Sequence, residues 1–180
     1  MKKICLTLLS CLLFLGSIYG TEGPEREITD VLIGNIDEDI IIYQYVYAYD
    51  GEHKAITERY ILIKRIIDSK LVLIEQRVIE KDEQLYQYLS ERHITILVPS
   101  TIDSKYYHLD IISKDEVQYL GTWFYLKTLL PNDLRAYDID RIEDLYYVND
   151  NVLIAIYLKN ENGIESFRKI ILLKPRKENG

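Results

Sequence analysis

Apolar and polar positions alternate along most of this chain, but its first twenty residues do not. Ile4 to Phe14 is a nearly unbroken apolar run, extended by Leu15, and it follows the lysines Lys2 and Lys3. Gly16 and Ser17 loosen the run, and Gly20 offers a small residue for cleavage. A charged start, an apolar centre and a small-residue end make a secretory signal peptide, so residues 1–20 are expected to leave and the product to be exported, periplasmic or extracellular. A run of about 15 apolar residues is shorter than the roughly 20 that a spanning helix needs. Leu8-Leu9-Ser10-Cys11 also reads as a lipobox, which would anchor the protein through Cys11. Against that route, Leu12-Leu13-Phe14-Leu15 follows where a lipidated cysteine would carry a polar tether.

Residues 21–27 are polar, contain Gly23 and Pro24, and read as a short tether. From there the period is two. Asp39 to Tyr49 is rich in isoleucine, tyrosine and valine and ends in Asp50-Gly51, a strong hairpin signal. Lys54 to Ile67 is its partner, Asp68-Ser69-Lys70 turns the chain, and Leu71 to Glu80 forms the next strand. Lys81 to His93 changes period: Leu85, Tyr88, Leu89 and Arg92 fall at helical spacing behind Asp82, a capping residue type, which predicts one short helix near 82–92. Strand patterns resume at His93–Val98, Tyr106–Ser113, Val117–Leu130 with a break at Gly121, Arg141–Val148, Val152–Lys159 and Ile164–Lys174. Asn160-Glu161-Asn162-Gly163 joins the last two, with glycine where a positive φ is wanted. The tail 175–180 is charged. About nine strands with short turns predict an all-β, mainly antiparallel single domain over 28–174, built as a small barrel or a sandwich meander. There is no βαβ rhythm, which excludes a parallel nucleotide-binding sheet.

Two strands lack clean alternation. Val152–Leu158 (VLIAIYL) and Leu71–Ile74 (LVLI) are apolar on both faces, and a strand reads that way when both faces are covered. One short helix cannot cover many strands. The missing cover comes either from the chain itself or from a partner.

Composition narrows the chemistry. The chain has 180 residues, is 48% apolar and 28% charged, and carries a formal charge of −7. That supports a packed core and excludes wholesale disorder. A sequence pI near 5.0 gives no general affinity for phosphate backbones, so nucleic acid is not an expected partner. Loss of residues 1–20 removes two lysines and no acid, moving the charge to −9, and removes both cysteines, Cys5 and Cys11. The exported domain then has no disulfide, thiol nucleophile or thiolate metal site.

The candidate binding residues are Tyr43, Tyr45, Tyr47 and Tyr49, which occupy alternate positions of one strand and share a face. Such a row can stack on sugar rings or line the cavity of a carrier barrel, or it packs its rings at the core edge with its hydroxyls in water. His108 and Asp110 also share a face beside Tyr106, a pair able to orient a base but more often a cross-strand polar contact. The three histidines lie in separate elements, and neither HExxH nor GxSxG occurs. Asp37-Glu38-Asp39 and the acids of DIDRIED lack the spacing of a calcium loop and read as solvated turn or strand edge. An outer-membrane barrel fits the tyrosine content, but Glu58, Arg59, Lys64 and Arg65 put charge on both faces of the second strand.

These features point to an exported, non-catalytic β-domain that binds a protein or a cell-envelope component, with a homodimer among the options. A small barrel carrying an apolar or aromatic ligand is the alternative, and a hydrolase built on His108 and Asp110 the third. No cofactor and no metal is expected.

Overall fold

The computed structural model describes residues 25–49, 53–97, 99, 109–148 and 151–173. The leader, most of the tether, the Asp50-Gly51 turn, Tyr106, His108 and the charged tail lie outside them. Within these residues the chain runs β1 (Arg26–Ile36), β2 (Asp39–Tyr49), β3 (Lys54–Ile67), β4 (Lys70–Val78), α1 (Asp82–Ser90), β5 (Thr95–Ile96), β6 (Leu109–Ser113), β7 (Glu116–Tyr119), β8 (Thr122–Tyr125), α2 (Leu126–Leu129), a 3-10 turn (Asn132–Leu134), β9 (Asp138–Val148), β10 (Asn151–Lys159) and β11 (Glu165–Leu173). The domain is all-β and mainly antiparallel, as the period of two implies.

The large sheet has the order β4-β3-β2-β1-β11-β10-β9, with β5 beside β1, and β6-β7-β8 form a separate small sheet. It is therefore two antiparallel meanders rather than one. They join through a short parallel pairing, Arg26–Thr29 of β1 against Glu165–Arg168 of β11. Beyond it β1 leaves β11, and Gly34 and Asn35 pair with β5 instead. Once separated, the two meanders pack on each other: Leu32, Ile40, Ile42 and Leu62 share one cluster with Tyr146, Leu153, Ile170 and Leu172. Of the barrel and the sandwich, the packing is that of a sandwich.

The strand count differs from about nine for two local reasons. β1 starts at Arg26, inside the segment read as tether, and its sequence REITDVLIGNI carries too many polar residues and a glycine to announce itself. The stretch Val117–Leu130, counted as one strand with a break at Gly121, is a hairpin turning at that break and followed by a helical turn. Leu120 (φ 49°) and Gly121 (φ 79°) form a two-residue turn between β7 and β8, and α2 starts at Leu126. The hairpin at 160–163 is as read, with Gly163 at φ 70°.

α1 lies where helical spacing placed it, but Asp82 does not cap it. Lys81 holds the cap position without a side-chain bond, Asp82 sits in the first turn, and Gln84 Oε1 accepts the Glu80 N–H at 2.8 Å. Tyr88, with Leu85 and Leu89, packs α1 onto Ile41, Ile61 and Ile79.

The two strands that read alike have different surroundings. In β10, Val152, Ile154, Ile156 and Leu158 join a core with Val117 and Phe124 of the small sheet, Leu126, Leu130 and Leu134. Leu153 and Ala155 point into the cluster between the meanders. The chain covers both faces of β10 itself, and each isoleucine so buried stabilises by about 1.5–3 kcal/mol. β4 is the edge of the large sheet. Val72, Leu73, Ile74 and Val78 are 37%, 47%, 48% and 63% exposed, and none belongs to a core cluster.

Candidate binding surface

The four tyrosines do share a face of β2. Their rings interlock along the strand: Tyr43 and Tyr45 lie 5.8 Å apart and tilted, Tyr45 and Tyr47 4.9 Å apart and edge to face. All four are half-buried. Lys54 from β3 places its ammonium 3.9 Å over the Tyr47 ring and 2.7 Å from Glu27 Oε2. Burial works against that charge, but hydrogen bonds with Glu27 and Tyr49 outweigh it and hold the Lys54 pKa above its ordinary value. The Tyr47 ring face is thus already taken by a cation that belongs to the fold. Burial also raises the pKa of Tyr43 and Tyr45, partly offset by Arg59 and by Thr29.

On the other side of the same sheet a groove of about 640 Å³ opens at the end of the sandwich. Arg26, Val46, Glu58, Ile164 and Glu165 line it, and Tyr49 is the one member of the tyrosine row among its lining residues. Two of the carboxylates that line it are tied down: the Tyr60 hydroxyl donates to Glu58 at 2.6 Å and the Tyr137 hydroxyl to Glu165 at 2.7 Å.

Between the meanders runs a polar seam that the sequence pattern did not reveal. Asp30 is fully buried and accepts from Gln44 Nε2 at 2.6 Å and from Lys169 at 3.2 Å through Oδ1. Arg168, also largely buried, donates to the Asp30 carbonyl, to Glu143 Oε2 at 2.6 Å and to Asp144. Asp144 pairs with Ala155 and Ile142 with Ile156, which leaves Glu143 as an extra residue on β9, and this bulge brings two successive carboxylates onto one guanidinium. Lys64 faces this seam from β3, and burial lowers its pKa against the pull of Asp30. The acids of DIDRIED are in part engaged here: Asp140 and Glu143 of edge strand β9 bind Arg141 of the same strand, Lys159 of β10 and Arg168 of β11.

Asp110 is exposed on the outer face of the small sheet, opposite Gln118, which stands opposite Trp123. His108 lies outside the described residues. Trp123 and Tyr125, two apart on β8, are 52% and 58% exposed on that same outer face. No group of three or more His, Cys, Asp or Glu among the described residues is placed to hold a metal ion.

No protein-family model matches the chain, and no curated protein or solved structure matches it.

β4 is the remaining surface, and it differs from the others in kind. Tyr47 of the tyrosine row, Arg168 in the seam and the groove carboxylates Glu58 and Glu165 have partners within the fold, although Asp30 Oδ2 is buried without one among the described residues. Among the described residues β4 pairs with β3 on one side only and leaves large apolar side chains exposed. Sequence reasoning grouped LVLI with VLIAIYL because both are apolar at successive positions; nothing in that pattern separates an edge strand from a central one.

Proposed function

We propose that this chain is an exported, non-catalytic binding domain that takes an extended strand of another protein along β4. The observation that carries the reading is the edge itself: nine residues of strand, Lys70–Val78, with one ladder of backbone groups that no described residue pairs and four large apolar side chains exposed among the described residues. A strand added there satisfies the open N–H and C=O groups and covers the apolar side chains, which is how sheet edges receive partners. The leader sequence supplies the exported setting.

Site-specific photocrosslinking in an exporting cell tests this. A photoreactive residue replacing Leu73 should give a discrete protein adduct, and the same probe replacing Trp123 should not. Adding Ile74→Lys should abolish the Leu73 adduct without changing the amount of protein exported. No adduct at Leu73, or equal adducts at both sites, refutes the reading.

A second reading rests on Trp123 and Tyr125. Two exposed rings beside Gln118 and Asp110 suit the apolar face and hydroxyl groups of a cell-envelope glycan. Trp123 is the chain's one tryptophan, so its fluorescence reports binding directly: a saturable change on titration with glycan fragments supports this reading, and a flat response removes it.

A further inference from the structure

Resting on that reading of β4, we infer that the strand it receives is β4 of a second copy, in one register. The Ile79 N–H bonds the Arg59 carbonyl at 2.9 Å, and Tyr60 stands opposite Val78 and Ile61 opposite Arg77. Antiparallel alternation then turns the backbone groups of Arg77 and Glu75 toward β3 and those of Gln76 and Val78 outward. The segment from Glu75 onward is regular; the extra residue is Ile74, where Ile63 pairs with Glu75 and Lys64 with Leu73.

Two antiparallel copies in one sheet are related by a two-fold axis perpendicular to it, so only residues of the same face can stand opposite each other. The axis must therefore pass beside a single residue and its copy. At Glu75 it would set two carboxylates together. Placing it at Ile74 sets Leu73 against Glu75 and Lys70 against Val78, and at Leu73 it sets Leu71 against Glu75 and runs the pairing through the bulge. At Gln76 the pairs of the regular segment fit, Gln76 meeting its copy and Glu75 meeting Arg77 twice, and the bulge residue Ile74 falls only at the two ends, beside Val78. Within one copy Glu75 and Arg77 are 3.0 Å apart and each about half exposed, so the dimer closes a square of four alternating charges. Ile74 and Val78, 48% and 63% exposed in one copy, cover each other. The regular pairing spans Glu75–Arg77 of each strand, is flanked at both ends by Ile74 and Val78, and makes one sheet through both copies.

The test uses the protein as it accumulates when the full chain is expressed, examined by sedimentation velocity over a concentration series. The wild type should be a reversible dimer. Glu75→Arg leaves only cations at the two charged positions of the edge and Arg77→Glu only anions; each alone should weaken association about tenfold to hundredfold, because both reciprocal pairs turn repulsive. An equimolar mixture of the two variants should dimerise again, since both arginines of one copy then face glutamates of the other. The double exchange E75R/R77E should restore the homodimer. Far-UV circular dichroism of each variant controls for folding. A mixture no more associated than its components overturns the register. A wild type that stays monomeric to its solubility limit overturns the second copy as partner; if Leu73 still crosslinks to a different protein, the reading of β4 as a binding edge survives, and if it crosslinks to nothing, both fall.

Discussion

Arg168→Met removes a cation that ties three strands together. Arg168 sits on β11, donates to the Asp30 carbonyl of β1, and holds Glu143 and Asp144 of β9. Its side chain is 13% exposed, while those of Glu143 and Asp144 are 22% and 31%. Methionine keeps much of the stem's packing, so the loss is electrostatic. Breaking a fully buried ion pair by removing one partner costs about 3–5 kcal/mol; the partial exposure of the two carboxylates lets water take up some of that, which leaves about 2–4 kcal/mol. For a domain of this size that is about 4–16 °C in melting temperature. Urea unfolding followed by far-UV circular dichroism measures it, with unchanged m-value as the sign that the native sheet is kept. The companion variant R168M/E143Q/D144N tests the cause: removing the two carboxylate charges left behind should recover part of the deficit, less the pairing that Glu143 keeps with Arg141. A single substitution costing less than about 1 kcal/mol, or a triple variant worse than the single one, would refute the view that the seam is held by charge pairing.

Three further outcomes follow from other parts of the fold. A Cβ at Gly34 would collide with the Thr95 carbonyl oxygen and lie 2.7 Å from Ile94 Cγ2, so Gly34→Ala should destabilise by about 1–3 kcal/mol and selectively speed hydrogen exchange at Leu97, whose N–H bonds Ile33 O at 3.1 Å. A double-mutant cycle on Tyr45 and Tyr47, each replaced by leucine, should return a coupling of about 0.5–1.5 kcal/mol for their edge-to-face contact, and additive single effects would show that the row is merely exposed. Burial raises the pKa of Tyr43, Tyr45, Tyr88 and Tyr146 in the folded state. The native state therefore holds these protons more tightly than the unfolded chain: the stabilisation is complete below the ordinary tyrosine value of about 10 and is lost as pH rises through the folded values. Stability should fall steeply above about pH 10, less steeply in Tyr45→Phe/Tyr146→Phe, and an unchanged slope in that variant would contradict the assignment.

Residue chemistry alone made the local structure legible. Period-two patterns placed β2, β3, β10 and β11, Asn160 to Gly163 announced its hairpin, and the change to helical spacing at Leu85, Tyr88 and Leu89 located α1. These are decisions between neighbours in sequence, settled by side-chain alternation and by the backbone freedom of glycine. The tyrosine row was also legible as a shared face, but not that Lys54 covers Tyr47, because that contact depends on how β3 registers against β2.

What tertiary structure decided is which surfaces are finished. VLIAIYL and LVLI look alike in sequence, yet β10 has a strand on either side and the small sheet above it, whereas β4 has a strand on one side only among the described residues. The difference originates in the pairing of β1 with β11 and in contacts such as Asp30 with Arg168, 138 residues apart. No periodicity within either strand encodes that choice. It emerges when the two meanders close on one another, burying a polar seam that hydrophobic patterning cannot foresee and leaving β4 as an edge with apolar side chains exposed.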